Sequence, residues 1–177
     1  LRSEIGILYL SDFNRTAINK LLRGAELEFH YLINCGAYVY LSRKHPLAGK
    51  SSISREELDD YPCLTFEQGD SGSFYYAEEI ISTADFPRVI HACDRATMLN
   101  LMVGLNGYTV CSGIICEELN GSDYAAVAFD RSDPEGNKTM EIGYITRKNT
   151  QLSDIGTLYV EKIREYLSGT DGKDGKS

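Results

Sequence analysis

The sequence predicts an α/β protein in which a parallel sheet carries helices on both faces. Between residues 63 and 111, three short apolar stretches alternate with two helical patterns, which is the order of a βαβαβ unit. The three expected strands are Cys63–Phe66, Arg88–Cys93 and Tyr108–Cys111. Longer apolar strands, Ala37–Arg43 and Met140–Arg147, flank this unit. We interpret them as the paths by which the chain enters and leaves a second lobe.

The composition is that of an ordinary globular protein with an acidic surface. Of the 177 residues, 42% are hydrophobic and 25% are charged, and the formal net charge is −8. Such a surface repels phosphate groups, so we expect the chain itself to bind neither nucleic acids nor anionic membranes well. No apolar run has the length of a membrane span, and the first residues lack the features of a signal peptide.

The five cysteines predict a reducing compartment. Their number is odd, no two have CxxC spacing, and most lie in apolar stretches, where a thiol packs as a small hydrophobic group. We therefore expect no disulfide framework and a cytoplasmic protein. A redox pair of Cys111 and Cys116 is the alternative to two buried thiols.

The first predicted elements are a strand, a helix and two further strands. Ile5–Leu10 is apolar, as in a buried strand, and apolar residues then recur at helical spacing until Gly24. Leu27–Ile33 alternates between apolar and polar residues, which favours a strand with one wetter face. The strand that starts at Ala37 ends before Pro46, because proline cannot donate to a sheet.

A short helix follows, and its boundaries are marked on both sides. Ser54 and Glu57 have the spacing of a capping box, in which each side chain accepts from the backbone N–H of the other residue. Tyr61 precedes a proline and so disfavours a helical backbone. After the strand Cys63–Phe66, a polar loop leads into the helical pattern of Phe74–Ser82.

The remaining elements are predicted by the same signals. Asp94 is the expected N-cap of a helix that we expect to end at Gly107. A helical turn near Cys116–Leu119, a strand at Tyr124–Phe129, a hairpin turn at Asp133–Asn137 and a strand at Met140–Thr146 follow. The last helix, Leu152–Leu167, has an apolar side formed by Ile155, Leu158, Tyr159, Ile163, Tyr166 and Leu167.

The stretch LSRKHPLAGKSSISREELDDYPCLTF, residues 41–66, resembles part of the effector-binding domain of LysR-type transcriptional regulators. In that family an apolar strand runs into His-Pro-Leu-Ala, and a small polar loop, a short helix and Tyr-Pro precede the next strand. EIGILYL near the start and MLNLMVGLNGYTVCSG at residues 98–113 are similar to further family segments, although Ser112 and Gly113 stand near where a proline is common. The matching residues are Glu4, Ile5, Gly6, Ile7, His45, Pro46, Leu47, Ala48, Ile53, Leu58, Tyr61, Pro62, Val103, Gly104 and Gly107.

The resemblance implies a type 2 periplasmic-binding-like fold. Such a fold has two Rossmann-like lobes joined by two crossover strands, and a hinge at the crossings lets the lobes close on a ligand. It also implies that this chain is N-terminally truncated and that its first lobe is incomplete. We expect a partial first lobe at 1–43, the second lobe at 44–140, a return strand and final helix at 141–167, and a disordered tail at 168–177. Residues 41–66 would then form one of the two crossings.

We expect the ligand at the carboxyl ends of the parallel strands, where helix N-termini offer backbone N–H groups to an anion. One group of candidates follows the strand Cys63–Phe66. One serine of this group is also expected to cap the next helix. The negative charge of Asp70 would disfavour a dianion at this place. The others follow Asp94, for which a plain N-cap is the alternative, and the strand Tyr108–Cys111. The candidate ligand-binding residues are Gln68, Gly69, Ser71, Ser73, Thr97, Ser112 and Gly113.

The resemblance implies an effector-sensing domain of a bacterial regulator, and its effectors are usually small organic anions. The expected partners are that effector, further copies of the chain in a dimer or tetramer, and DNA only through an absent helix-turn-helix. No histidine or cysteine cluster predicts a metal, and no motif predicts a cofactor or a catalytic residue. The alternatives are a solute-binding protein, or an enzyme on the same fold with Asp70 or Asp94 as its base.

Overall fold

The computed structural model describes residues 3–67, 86–115, 121–132 and 139–170. These ranges contain nine strands and four helices. The strands are β1 Gly6–Leu10, β2 Leu27–Cys35, β3 Tyr38–Ser42, β4 Ser52–Ile53, β5 Cys63–Phe66, β6 Val89–Ala92, β7 Tyr108–Cys111, β8 Tyr124–Phe129 and β9 Met140–Arg147. The helices are α1 Arg15–Gly24, α2 Arg55–Leu58, α3 Arg95–Gly104 and α4 Asp154–Thr170. In this part of the chain, no helix is long and apolar enough to cross a membrane.

The chain divides into two compact units. The first unit contains residues 1–34 and 140–177, and the second unit contains residues 35–139. From the sequence alone, the boundary between the first and second lobes is expected between residues 43 and 44. The difference arises because β3 hydrogen-bonds to both β7 and β8, so that this strand belongs to the sheet of the second unit.

The first unit has a three-stranded sheet in the order β1-β9-β2. β1 runs antiparallel to β9, with Gly6 opposite Ile145 and Leu10 opposite Glu141. α1 packs on this sheet through Ile18 and Leu22, whose spacing places both on one side of the helix. At the start of α1, Arg15 forms an ion pair of 2.9 Å with Glu141 of β9.

The last helix also belongs to the first unit, and its buried side is narrower than predicted. Val160 and Leu167 are buried and Ile163 is half-buried, which follows helical spacing. Ile155 is 81% exposed, so its assignment to the packed side is wrong. Leu158, Tyr159 and Tyr166 are likewise about half exposed. The expected disordered tail is wrong at its start, because residues 168–170 continue α4.

The second unit has a six-stranded sheet in the order β4-β8-β3-β7-β5-β6. β5 is parallel to both β6 and β7, which confirms the strand directions predicted for the βαβαβ unit, and α3 is the helix expected between β6 and β7. The complete sheet is mixed, because β3 runs antiparallel to its neighbours β7 and β8. One face packs against Leu58 of α2, and the opposite face packs against Met98 and Met102 of α3. The prediction of helices on both faces is therefore confirmed.

Residues 41–66 do not cross between the units, which corrects the expectation from the sequence. This stretch connects β3 to β5 within the second unit. It also contains β4, a strand that the sequence analysis missed, which pairs with β8 through Ser52 and Ile53. The chain passes between the units at residues 34–35 and 139–140 instead.

The predicted helix boundaries are partly confirmed. The capping box of Ser54 and Glu57 is present at the start of α2. Asp94 caps α3 as expected, but α3 ends at Gly104 rather than Gly107. The chain leaves this helix through Asn106, whose φ of 49° lies in the left-handed region. The predicted elements Phe74–Ser82, Cys116–Leu119 and Asp133–Asn137, and residues 171–177 of the tail, lie outside the described residues.

Candidate functional site

Three parallel strands of the second unit end at one edge of its sheet. β5, β6 and β7 run in the same direction, so the residues that follow them lie along this edge. Glu67 follows β5, Cys93 and Asp94 follow β6, and Ser112 and Gly113 follow β7. We call this set of strand ends the carboxyl edge. Because β5 lies between β6 and β7, the start of α3 and the Ser112–Gly113 turn are separated by about 10 Å, or two strand spacings.

The N-terminus of α3 at this edge is occupied by Asp94. Its carboxylate accepts from the Thr97 backbone N–H at 2.9 Å and from the Thr97 hydroxyl at 2.7 Å. The backbone N–H of Thr97, followed by the Thr97 hydroxyl, holds the pKa of Asp94 below its usual value. Thr97 is therefore placed at the predicted edge, but its hydroxyl proton is committed to the cap. An anion at this helix end would meet the negative charge of Asp94.

The ends of β5 and β6 are joined by polar contacts. The Glu67 backbone N–H donates to the Ala92 carbonyl at 3.0 Å, which extends the strand pairing by one residue. The Cys93 thiol donates to the Glu67 carboxylate at 3.0 Å. This carboxylate raises the pKa of Cys93, so the thiol stays protonated at neutral pH and is a weak nucleophile. The contact argues against covalent catalysis by Cys93.

The turn after β7 depends on Gly113. Its φ of 75° is unfavourable for residues with a side chain, and a Cβ there would lie 2.5 Å from the Tyr38 ring. The Gly113 backbone N–H donates to Cys111 Sγ at 3.4 Å, an ordinary distance for sulfur, whereas the Ile114 backbone N–H has only a long contact of 3.4 Å to the Ser112 hydroxyl. The Ile114 N–H is thus the most weakly engaged donor that we identify at the carboxyl edge.

The predicted site residues are only partly covered by the structure. Thr97, Ser112 and Gly113 all lie on the carboxyl edge. Gln68, Gly69, Ser71 and Ser73 lie outside the described residues, and their assignment stays a prediction.

Two polar side chains beneath α3 were not predicted from the sequence. The hydroxyls of Tyr40 and Thr109 are buried and have no hydrogen-bond partner among the described residues. A buried hydroxyl without a partner typically costs about 1–3 kcal/mol. In the sequence, the one sign of a buried polar group is the threonine inside the apolar strand YTVC. Threonine is also common in strands for its shape, so this sign alone does not indicate a site.

The His-Pro-Leu-Ala motif lies at the opposite edge of the sheet, near the end of β3. His45 is buried, its Nε2 lies 3.0 Å from the Asn106 carbonyl oxygen, and its Nδ1 lies 3.1 Å from the Leu47 nitrogen. Its ring also packs against Tyr61. The motif therefore joins the turns before β4 and before β7, and its role is structural.

The three histidines do not form a metal site. His30 contacts Thr146, His91 contacts Thr65, and His45 is buried in its own turn. Among the residues that the structure describes, no group of three or more histidine, cysteine or acidic side chains is placed to hold a metal ion. No disulfide joins the cysteines within these ranges, Cys35, Cys63, Cys93 and Cys111.

Three solved structures with the same fold are a regulator, a regulatory domain and an effector-binding domain. The PA01 protein from Pseudomonas aeruginosa, described as a LysR family transcriptional regulator, is 17% identical with a TM-score of 0.60, and the match covers 94% of this chain and 55% of that chain. The regulatory domain of MetR from N. meningitidis is 12% identical with a TM-score of 0.57, over 93% of this chain and 70% of that one. The effector-binding domain of QuiR, solved with shikimate, is 15% identical with a TM-score of 0.56. This match covers 93% of this chain and 72% of that one.

These likenesses confirm the expected fold class, two α/β lobes of the type 2 periplasmic-binding-like kind. The chain spans about half the length of the PA01 protein. The family model described as the LysR substrate binding domain matches residues 15–168. The family is that of transcriptional regulators, in agreement with the resemblance at residues 41–66. The chain therefore belongs to the LysR substrate-binding domain family, the effector-sensing part of LysR-type transcriptional regulators.

Proposed function

We propose that this chain senses a small organic ligand at the carboxyl edge of the second unit and belongs to a bacterial DNA-binding regulator. The observation that carries the proposal is the common direction of β5, β6 and β7, which brings three strand ends together. In α/β proteins, ligands bind at such edges. The effector-binding domain of QuiR, which has the same fold, was solved with shikimate, a small organic acid.

The ligand is proposed to be an anion held mainly at the turn after β7. The weakly engaged N–H group of Ile114 is available as a donor there, the Gly113 N–H has only a sulfur acceptor, and Ser112 adds a hydroxyl. Asp94 disfavours an anion directly at the N-terminus of α3, so we place Thr97 at the margin of the site. Gln68, Gly69, Ser71 and Ser73 complete the proposed site from the segment after β5.

A second part of the proposal concerns DNA binding and assembly of the whole protein. We infer that a helix-turn-helix elsewhere in the protein binds DNA and that the protein acts as a dimer or tetramer in the cytoplasm. The acidic net charge of −8 supports a DNA contact made outside this chain. Ligand binding would alter DNA binding through a difference in affinity between two states. We propose no enzymatic activity, because the Cys93 thiol is kept protonated and Asp94 serves as a helix cap.

The test is a binding screen with small organic acids, shikimate included, by thermal unfolding and isothermal titration calorimetry. We expect at least one acid to raise the melting temperature, since a ligand that binds only the folded state stabilises it. The Ser112→Ala variant should lower the affinity about three- to tenfold, as expected for the loss of one hydrogen bond.

The matched control is Ser122→Ala, which makes the same change at an exposed serine before β8, at the opposite edge of the sheet. It should leave the affinity unchanged. Equal affinities of all three proteins would place the ligand elsewhere, and no stabilisation by any acid would contradict the proposal as a whole.

A further inference from the structure

Two hydroxyl groups are buried beneath α3 without a hydrogen-bond partner in the described part of the chain. They belong to Tyr40 of β3 and Thr109 of β7. Tyr40 is 7% exposed and Thr109 is 8% exposed. Since buried polar groups in folded proteins are nearly always hydrogen-bonded, two exceptions in one place require an explanation.

The two side chains point to the same face of the sheet. Tyr40 and Thr109 are direct cross-strand partners in the antiparallel pair of β3 and β7. Such partners have their side chains on one side and about 5 Å apart at Cβ. This is the side on which Tyr40 packs with Met98 and Met102 of α3. Both hydroxyls therefore belong to side chains on the sheet face that α3 covers.

Packing requires neither hydroxyl. The ring of Tyr40 stacks on Tyr124, with 5.6 Å between ring centroids, and phenylalanine would make the same contact. Valine has the shape of threonine and would avoid burying a polar group at position 109. The chain thus carries two buried hydroxyls on one face of the sheet, where two apolar residues would give a more stable core.

The surroundings indicate what these hydroxyls can bind. Burial raises the pKa of Tyr40, and the positive charge of Arg95, the first residue of α3, acts in the opposite direction. Tyr40 therefore stays protonated at neutral pH and can donate to an oxygen. A carboxylate buried between Met98 and Met102 would lose its hydration, whereas an uncharged oxygen would lose much less. A carboxylate is better placed outside this core, at the turn after β7.

We propose that Tyr40 and Thr109 form a polar subsite for a hydroxyl or carbonyl oxygen of the ligand. The ligand is then a small organic acid that carries such a group in addition to its carboxylate. This inference rests on the proposed function, because it adds a second contact point to the ligand of the carboxyl edge. The hydroxyls of Tyr40 and Thr109 would then help the protein to select among related acids.

The experiment compares acids that differ in one hydroxyl group, lactate with propionate and malate with succinate. Their binding is measured by titration calorimetry with the wild-type chain, Tyr40→Phe and Thr109→Val. We expect the wild type to prefer a hydroxy acid by about tenfold, the effect of roughly one good hydrogen bond. Either variant should reduce that preference to about twofold or less. Both variants should keep the melting temperature or raise it by about 2–4 °C.

The matched control is Tyr108→Phe, which removes the hydroxyl of a buried tyrosine on the other face of β7. Tyr108 has a hydrogen bond with Cys63, so its variant should lower the melting temperature and keep the preference for the hydroxy acid. A loss of stability in Tyr40→Phe as large as in Tyr108→Phe would overturn the inference, because the hydroxyl would then serve the fold. Equal affinities of the wild type for paired acids would overturn the inference alone. Failure of all four acids to bind would overturn this inference alone if another acid of the screen binds, and both proposals if none does.

Discussion

His45 is held in one tautomer by two contacts in its turn. The Leu47 backbone N–H donates to Nδ1, so this nitrogen carries no proton, and Nε2–H donates to the Asn106 carbonyl. Burial lowers the pKa of His45, although the Asn106 contact acts in the opposite direction. Protonation would therefore place a charge in a buried position and would break the bond from Leu47.

We expect the unfolding free energy to fall as the pH drops below about 6.5, the value for an unfolded histidine. The folded-state pKa is the lower one, so the unfolded chain binds the proton first, and the full stability is present only above this value. Urea unfolding between pH 5 and 8 measures the slope. His45→Leu should lose about 1–3 kcal/mol at pH 7 through its broken hydrogen bonds and should flatten the slope.

The control for this pH dependence is Ser122→Ala, which changes an exposed residue of the same unit and removes no titratable group. Its slope should match that of the wild type. If His45→Leu retained the full slope, another group would be responsible for the loss of stability in acid.

At the scale of elements, the start of α3 combines two roles that oppose each other. Asp94 supplies the cap that the helix needs, and its charge faces the place where a ligand anion would gain from the helix dipole. Asparagine caps helices about as well as aspartate does but is uncharged. The two effects can therefore be separated by one substitution.

We expect Asp94→Asn to raise the affinity for an anionic ligand at the turn after β7 by a factor of about two, the effect of one charge about 10 Å away in water. Its melting temperature at pH 7 should stay close to that of the wild type. Asp94→Ala removes both the charge and the cap, so it should raise the affinity similarly but lower the melting temperature by about 2–4 °C. Calorimetric titration and thermal unfolding measure both quantities. Unchanged affinity in both variants would show that the anion binds away from α3.

The elements show where reasoning from the sequence succeeds. The capping box of Ser54 and Glu57 and the cap at Asp94 were predicted correctly, because a cap depends on residues within one turn. The end of α3 was placed at Gly107, but Asn106 adopts the left-handed conformation first. Asparagine tolerates that conformation better than most residues, so the chain can turn before the glycine.

At the scale of the whole molecule, each unit has a core of its own. The described clusters of buried apolar residues each lie within one unit, with Leu41 fully buried in the second and Ile18 in the first. A cavity in one core should therefore act mainly on the unit that contains it.

We expect Leu41→Ala and Ile18→Ala each to cost about 2–5 kcal/mol. Native-state hydrogen exchange should show faster exchange in β3 and β7 for Leu41→Ala, and in β1 and β9 for Ile18→Ala. Val103→Ala, at a half-exposed position of α3, is the control and should change little. Uniform acceleration across both units in either variant would indicate that they unfold as one.

In the candidate site, too, residues identified from their sequence neighbours were predicted, and residues that meet only in the folded sheet were not. Thr97, Ser112 and Gly113 were chosen because they follow predicted strands, and the parallel pairing of those strands brings them to one edge. Tyr40 and Thr109 were missed because their significance depends on being cross-strand partners. In the sequence they are a tyrosine and a threonine in ordinary strands, 69 positions apart.

The sequence by itself determined the kinds of elements, most of their boundaries and the family, because these depend on apolar spacing, caps and a contiguous motif. Only the tertiary structure decided that β3 lies inside the second sheet, that residues 41–66 stay within one unit, and that part of α4 is exposed. The physical reason is that backbone hydrogen bonds are alike in every strand. An apolar sequence therefore predicts that a strand is buried. Which strands pair with it depends on how all the elements pack together.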